Sequence, residues 1–114
     1  MKNIKSISFL AFFCCILLFS CGKNSSKIYY FNETGCSNPW DSYYNADTFS
    51  LELLNQSITT FLSDENIKVK SVNFDFDSSL IEYCYACHCR TGRVIVADVS
   101  GVSRRKMKNL NFYQ

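Results

Sequence analysis

The sequence is short of the residues from which many active sites are built. It has one proline, one histidine and four glycines in 114 residues. No Ser-His-Asp arrangement, glycine-rich phosphate loop or pair of catalytic carboxylates can be assembled from it. Asp75 and Asp77 share one parity of an extended segment, a pattern that marks a solvent face. Internal repeats and low-complexity tracts are absent. The longest apolar run, residues 7–19, is too short to span a bilayer, which takes roughly 20 residues.

That run nevertheless carries information. Lys2 and Lys5 precede it, and Ser20-Cys21 follows it. A basic start, an apolar core of about 7–15 residues and a small residue at the end form a secretory signal. Residues 1–20 are therefore expected to be removed on export. Residues 22–26, Gly-Lys-Asn-Ser-Ser, read as a polar tether that reaches at most about 17 Å when extended. What remains, residues 27–114, is enough for one domain only. A domain of that size is marginally stable without cross-links.

Leu18-Phe19-Ser20-Cys21 resembles the lipobox of bacterial lipoproteins, with an aliphatic residue at −3, a small residue at −1 and then cysteine. The resemblance implies a diacylglyceryl thioether on Cys21 and acylation, palmitate included, of the new amino terminus. The protein would then sit on the cell membrane or outer membrane, facing the periplasm or the exterior, with the lipid bilayer as its first partner. Phe19 departs from the usual small or medium residue at −2. Cys14 and Cys15 are poorer lipidation sites, because Phe13 and Cys14 precede them.

Charge is unevenly distributed. Residues 33–82 hold nine acids against Lys68 and Lys70, whereas residues 90–114 hold six bases against Asp98. Nucleic acid is not expected as a partner of an exported chain. The basic cluster Arg104, Arg105, Lys106 and Lys108 reads as a solvated helix face. Held close by a short tether, it could also rest on anionic headgroups, at about 1 kcal/mol per nearby base.

The pattern predicts an α+β domain in β-α-β-β-α order, a split βαβ or ferredoxin-like sheet of about three strands with helices on one face. A first strand is expected over residues 27–32 and a loop over 33–45, with Trp40, Tyr43 and Tyr44 folded onto the core rather than forming a stacking platform for a sugar. Leu51, Leu54, Ile58, Phe61 and Leu62 form a helical stripe over residues 48–63, with Asp47 as N-cap. Residues 67–77 read as a strand whose parity switches near Lys70-Ser71, which predicts a bulge. Thr91-Gly92 is expected as a turn before a strand over 93–99. A short basic helix should follow over 101–110 and end at Asn111, with Phe112 and Tyr113 packed back on the sheet.

Four cysteines, Cys36, Cys84, Cys87 and Cys89, remain once the signal and Cys21 are set aside. In an oxidising compartment two disulfides are the default, with no cofactor. Of the three connectivities, Cys84–Cys87 with Cys36–Cys89 is preferred. Other chemistries fit the same residues. Cys84-Tyr85-Ala86-Cys87-His88 matches the haem-attachment pattern and resembles c-type cytochromes, which implies thioethers at Cys84 and Cys87, His88 as axial ligand and Met107 as a second. Cys36, Cys84, Cys87 and Cys89, or three of them with His88, could hold zinc. Thiol–disulfide exchange through Cys84 and Cys87 is a further alternative, with Arg90 as the nearby cation. A thioredoxin fold is not expected, because only 27 residues follow Cys87 and the sole proline, Pro39, lies far upstream.

Over most of the mature chain, Cys36-Ser-Asn-Pro-Trp40, Cys84-x-x-Cys-x-Cys-Arg-Thr-Gly-Arg93 and the basic helix ending in Asn-Phe-Tyr resemble small lipoproteins of the Bacteroidota. The resemblance implies a shared fold and cysteine framework and brings no activity with it. Taken together, the sequence predicts a non-enzymatic, disulfide-stapled binding or structural module of the cell envelope. A redox, metal or haem protein centred on the Cys84–Cys89 cluster is the alternative.

Overall fold

A computed structural model of the protein describes residues 25–114. The signal segment, Cys21 and most of the tether lie outside the described residues. Strand β1 is Lys27–Thr34, helix α1 Leu51–Asp64, β2 Lys68–Phe76, β3 Arg90–Ser100 and helix α2 Arg104–Asn109. One 3-10 turn, Asp41–Tyr43, lies between β1 and α1, and another, Ser78–Leu80, lies between β2 and β3. Among the described residues no helix is long and apolar enough to cross a membrane.

The three strands form one antiparallel sheet in the order β1-β3-β2. β1 and β2 therefore run parallel with β3 between them, which is the expected split βαβ. After α2, a single antiparallel bridge between Tyr113 and Tyr30 occupies the free edge of β1. There a fourth strand would complete the β-α-β-β-α-β order.

Alternation along the strands sends Tyr29 and Phe31 of β1, Val72 of β2, and Ile95, Ala97 and Val99 of β3 into one core. α1 closes that core with Leu54, Ile58, Phe61 and Leu62, and α2 with Met107. Both helices thus cover the same face. Trp40 is 0% exposed and lies edge-on to Phe31, with ring centroids 4.6 Å apart. That burial rules out the sugar-platform reading for Trp40. Tyr44 packs against the core, whereas Tyr43 stays partly exposed and donates its hydroxyl to Asp64 at 2.8 Å.

Both helices end alike. Asn66 and Asn111 take left-handed backbone at φ 61° and 68°. In each case the next amide reaches back to the carbonyl five residues earlier, Ile67 to Leu62 and Phe112 to Met107, both at 3.0 Å. This Schellman geometry satisfies the terminal carbonyls and swings a buried apolar residue onto the helix's last turn. Asparagine tolerates the conformation because its short polar side chain bonds locally.

Two expectations need correction. The helix starts at Leu51 and is capped by Ser50, whose hydroxyl accepts from the Leu53 amide, and not by Asp47. The cause is Tyr44, whose hydroxyl donates to the Thr48 carbonyl and accepts from the Ser50 amide, both at 2.8 Å. Residues 48–50 are thereby held out of the helix, and Leu51 is half exposed instead of buried. Thr91-Gly92 lies inside β3 and not before it. The expected bulge in β2 is present as a register shift between Val69 and Ser71.

Candidate functional site

The cysteines gather where the Thr34 end of β1 meets the Arg90 end of β3. The Gly35 amide donates to the Cys89 carbonyl at 3.0 Å, and the Cys36 amide donates to the Cys87 carbonyl at 3.1 Å. This ladder sets Cys36 beside Cys87, and the two are bonded with Cα atoms 4.5 Å apart. Downstream, the Glu82 amide donates to the Arg90 carbonyl and the Cys89 amide to the Ala86 carbonyl, which closes a tight loop. Cys84 and Cys89 face each other across it and are bonded, Cα to Cα 6.0 Å. Both separations fall in the range that a disulfide bridges.

The connectivity is therefore Cys36–Cys87 and Cys84–Cys89, not the preferred Cys84–Cys87 and Cys36–Cys89. Backbone pairing of Gly35-Cys36 with residues 87–89 makes the difference. The two bridges interlock along the sequence. All four described cysteines are consumed, and no group of three His, Cys, Asp or Glu side chains among the described residues is placed to hold a metal. His88 stands exposed on the loop, whereas Met107 is fully buried under α2. Met107 therefore fills the core and cannot be paired with His88 as a second axial ligand.

Beside the knot lies an open cleft of about 520 Å³ lined by Glu33, Cys36, Asn38, Tyr44, Phe49 and Arg93. Its central group is Glu33, which is 7% exposed. Between the register pairs Asn32 with Val94 and Thr34 with Arg90, β1 supplies Glu33 alone and β3 supplies Thr91, Gly92 and Arg93. Gly92 makes this bulge possible at φ 91°, where a Cβ would meet the Ile81 side chain at 2.7 Å. The kink brings two donors onto one carboxylate: Thr91 Oγ1 at 2.9 Å and Arg93 Nη1 at 3.1 and 3.0 Å. The Arg93 guanidinium also lies 4.7 Å from the centroid of the Phe49 ring. Phe49, 62% exposed, is held on the surface with Arg93 over its ring.

Other polar groups at this end are paired too. Asn38 Oδ1 accepts from the Thr34 amide at 2.8 Å, and Asn38 Nδ2 donates to the Thr34 carbonyl at 2.8 Å. Arg90 Nε donates to Glu82 at 2.7 Å, and this bond, followed by one from the Arg90 amide, holds the Glu82 carboxyl below its ordinary range. The Ser79 hydroxyl and amide do the same for Asp77. Such a set of hydrogen-bonded partners locks the loops at this end.

The basic cluster lies at the opposite end of the sheet. Lys27 pairs with Val99 and Lys68 with Ser100, and α2 starts four residues after Ser100. The structure divides the cluster. Lys106 donates its ammonium to the Glu65 carbonyl and so ties α2 to the end of α1. Arg104, Arg105 and Lys108 line a separate recess together with Tyr29, Phe112 and Tyr113.

Comparison with protein-family models, curated proteins and solved structures gave no match.

Sequence reasoning missed Glu33, Thr91, Arg93 and Tyr29. Strand parity carried the signal for two of them, because Glu33 shares the inward parity of Tyr29 and Phe31, and Arg93 that of Ile95 and Ala97. Opposite charges at inward positions of neighbouring strands call for each other.

Proposed function

We propose that the protein is a lipid-anchored module of the bacterial cell envelope, a binding or structural domain and not an enzyme. In this reading Cys21 carries the lipid, residues 22–26 form the tether, and residues 27–114 form a domain stapled by two disulfides. The observation that carries the reading is the closed pairing of Cys36, Cys84, Cys87 and Cys89 with one another. Disulfides of this kind persist in oxidising compartments, and their closure leaves Cys21 free for a thioether.

The direction of the strands supports an orientation. The tether enters at Lys27, at the same end of the sheet as Lys68 and the start of α2. The eight residues of β1, at about 3.3 Å each, carry the cysteine knot roughly 25 Å from that point. A short tether therefore holds the basic end next to the headgroups and turns the knot, with the exposed Tyr83 and Tyr85, away from the membrane. Electrostatic attraction of Arg104, Arg105 and Lys108 to anionic lipid adds to the anchor.

Intact mass of the protein purified from membranes tests the reading. A chain that begins at Cys21, carries acyl groups and gains about 4 Da on reduction is expected, one hydrogen for each bridged sulfur. An unprocessed or unacylated chain would contradict the anchor. Free thiols with bound zinc, or a haem-sized adduct, would favour the metal or haem alternative.

A further inference from the structure

We propose that the recess between α2, Tyr29 and the Phe112-Tyr113 segment is a binding site for a phosphate group carried on a small organic moiety. The site is argued from side chains of the domain alone and does not depend on the lipid anchor. Its volume is about 490 Å³, and Arg104, Arg105 and Lys108 line it with no carboxylate side chain among them. None of the three makes an ion pair among the described residues, whereas Arg90 and Arg93 at the far end are both paired. Arg104 and Lys108 are one helical turn apart and therefore project on one face.

The second observation is Tyr29. It lines the recess, is 1% exposed, and its hydroxyl has no hydrogen-bond partner among the described residues. Buried hydroxyls are rarely left without a partner, because the desolvation is uncompensated. A ligand oxygen supplies the missing acceptor. The required ligand is thus anionic, rich in acceptor oxygens and small enough to reach a buried hydroxyl. Phosphate meets all three requirements, and guanidinium groups match its geometry.

The aromatic wall indicates what else the ligand carries. Phe112 is buried and Tyr113 is 44% exposed, so a glycerol-sized group attached to the phosphate would lie against them. A phospholipid headgroup and a soluble phosphate monoester share this chemistry, and the experiment separates them.

The full chain in neutral detergent micelles is titrated with glycerol 3-phosphate by calorimetry, and in parallel with micelles doped with phosphatidylglycerol or phosphatidylcholine. Saturable one-to-one binding of glycerol 3-phosphate is expected. Affinity should fall about tenfold or more in the Arg104→Gln/Lys108→Gln chain, as loss of charge-assisted hydrogen bonds implies. Tyr29→Phe should also weaken binding by about tenfold while leaving the unfolding midpoint unchanged or raised, because it removes a hydroxyl that the free protein does not satisfy. Displacement of glycerol 3-phosphate by phosphatidylglycerol, but not by phosphatidylcholine, assigns the site to anionic headgroups. Failure of both lipids to displace it assigns the site to a soluble ester. Absence of saturable binding to both glycerol 3-phosphate and phosphatidylglycerol overturns the proposal, as does an affinity unchanged in both substituted chains. A missing acyl group on the intact protein would leave these titrations untouched, so the two readings fail separately.

Discussion

At the Thr34–Arg90 end of the sheet the arginines and the carboxylates around them have found partners, and at the Lys27–Ser100 end Arg104, Arg105 and Lys108 have no ion-pair partner among the described residues. The first end holds both disulfides, the Glu33–Arg93 and Glu82–Arg90 ion pairs, and the Asn38 clamp on Thr34. The second has no cross-link among the described residues and is held by two asparagine-terminated helices and the bond from Lys106 to Glu65. Its remaining bases, Arg104, Arg105 and Lys108, line one recess with Tyr29, whose buried hydroxyl has no partner among the described residues. Paired charge gives stability and little else, whereas unpaired charge next to a concavity can interact with a ligand. The contrast assigns structure to one end and recognition to the other.

Breaking the structural end should cost the most. The Cys36–Cys87 bridge spans 51 residues, and in the chain-entropy model its removal by Cys36→Ser/Cys87→Ser destabilises by about 4 kcal/mol. For a domain with a core of this size, urea titration should show a population unfolded at 37 °C. Removing the five-residue Cys84–Cys89 bridge should cost about 2 kcal/mol, because a short loop has less entropy to lose.

Between the two bridges in size is Arg93→Ala. It would leave the Glu33 carboxylate buried with Thr91 as its only remaining side-chain partner. A loss on the order of 3 kcal/mol follows, since breaking a buried pair strands a charge. Replacing both residues, as in Glu33→Gln/Arg93→Gln, should cost less than Arg93→Ala alone. A double variant as damaged as the single one would mean that the pair is not the determinant.

The smallest effect is on pH dependence. Asp77 and Glu82 are held below their ordinary range by bonds to Ser79 and Arg90. A carboxyl whose folded value is lowered contributes stability above its unfolded value, about 4, and loses it as the pH falls through the lowered value. The urea midpoint should therefore decline on acidification below about pH 4, and Glu82→Gln should flatten that decline without moving the midpoint near neutrality much. A midpoint as steep in the variant as in the parent would show that the acid limb arises elsewhere.

Legibility in the sequence followed the range of the interactions. The stripe of Leu54, Ile58, Phe61 and Leu62, the parity switch at Lys70-Ser71 and the left-handed Asn111 are local patterns, and each appears in the structure. The disulfide connectivity depends on a contact across roughly 50 residues, the pairing of Gly35-Cys36 with the loop at Cys87, which spacing within Cys84–Cys89 cannot reveal. The helix start was misread for a related reason. Asp47 is a good cap by residue type, but the hydroxyl of Tyr44 bonds to Thr48 and Ser50 and holds residues 48–50 outside the helix. The basic cluster was visible as charge, yet sequence could not separate Lys106, which holds Glu65, from the three that line a recess. Tyr29 looks like any inward-facing strand aromatic; Trp40 Nε1 and Asp98 Oδ1 are also buried without partners, and only Tyr29 of the three lines the basic recess.

The division of labour between the two ends is tested most directly by one paired measurement on the Arg104→Gln/Arg105→Gln/Lys108→Gln chain: its urea midpoint and its affinity for glycerol 3-phosphate. Surface changes away from packed or paired groups usually stay within about 0.5 kcal/mol, so the midpoint should match that of the parent while binding is lost. A lowered midpoint with binding retained would contradict the account, because those bases would then belong to the structural end.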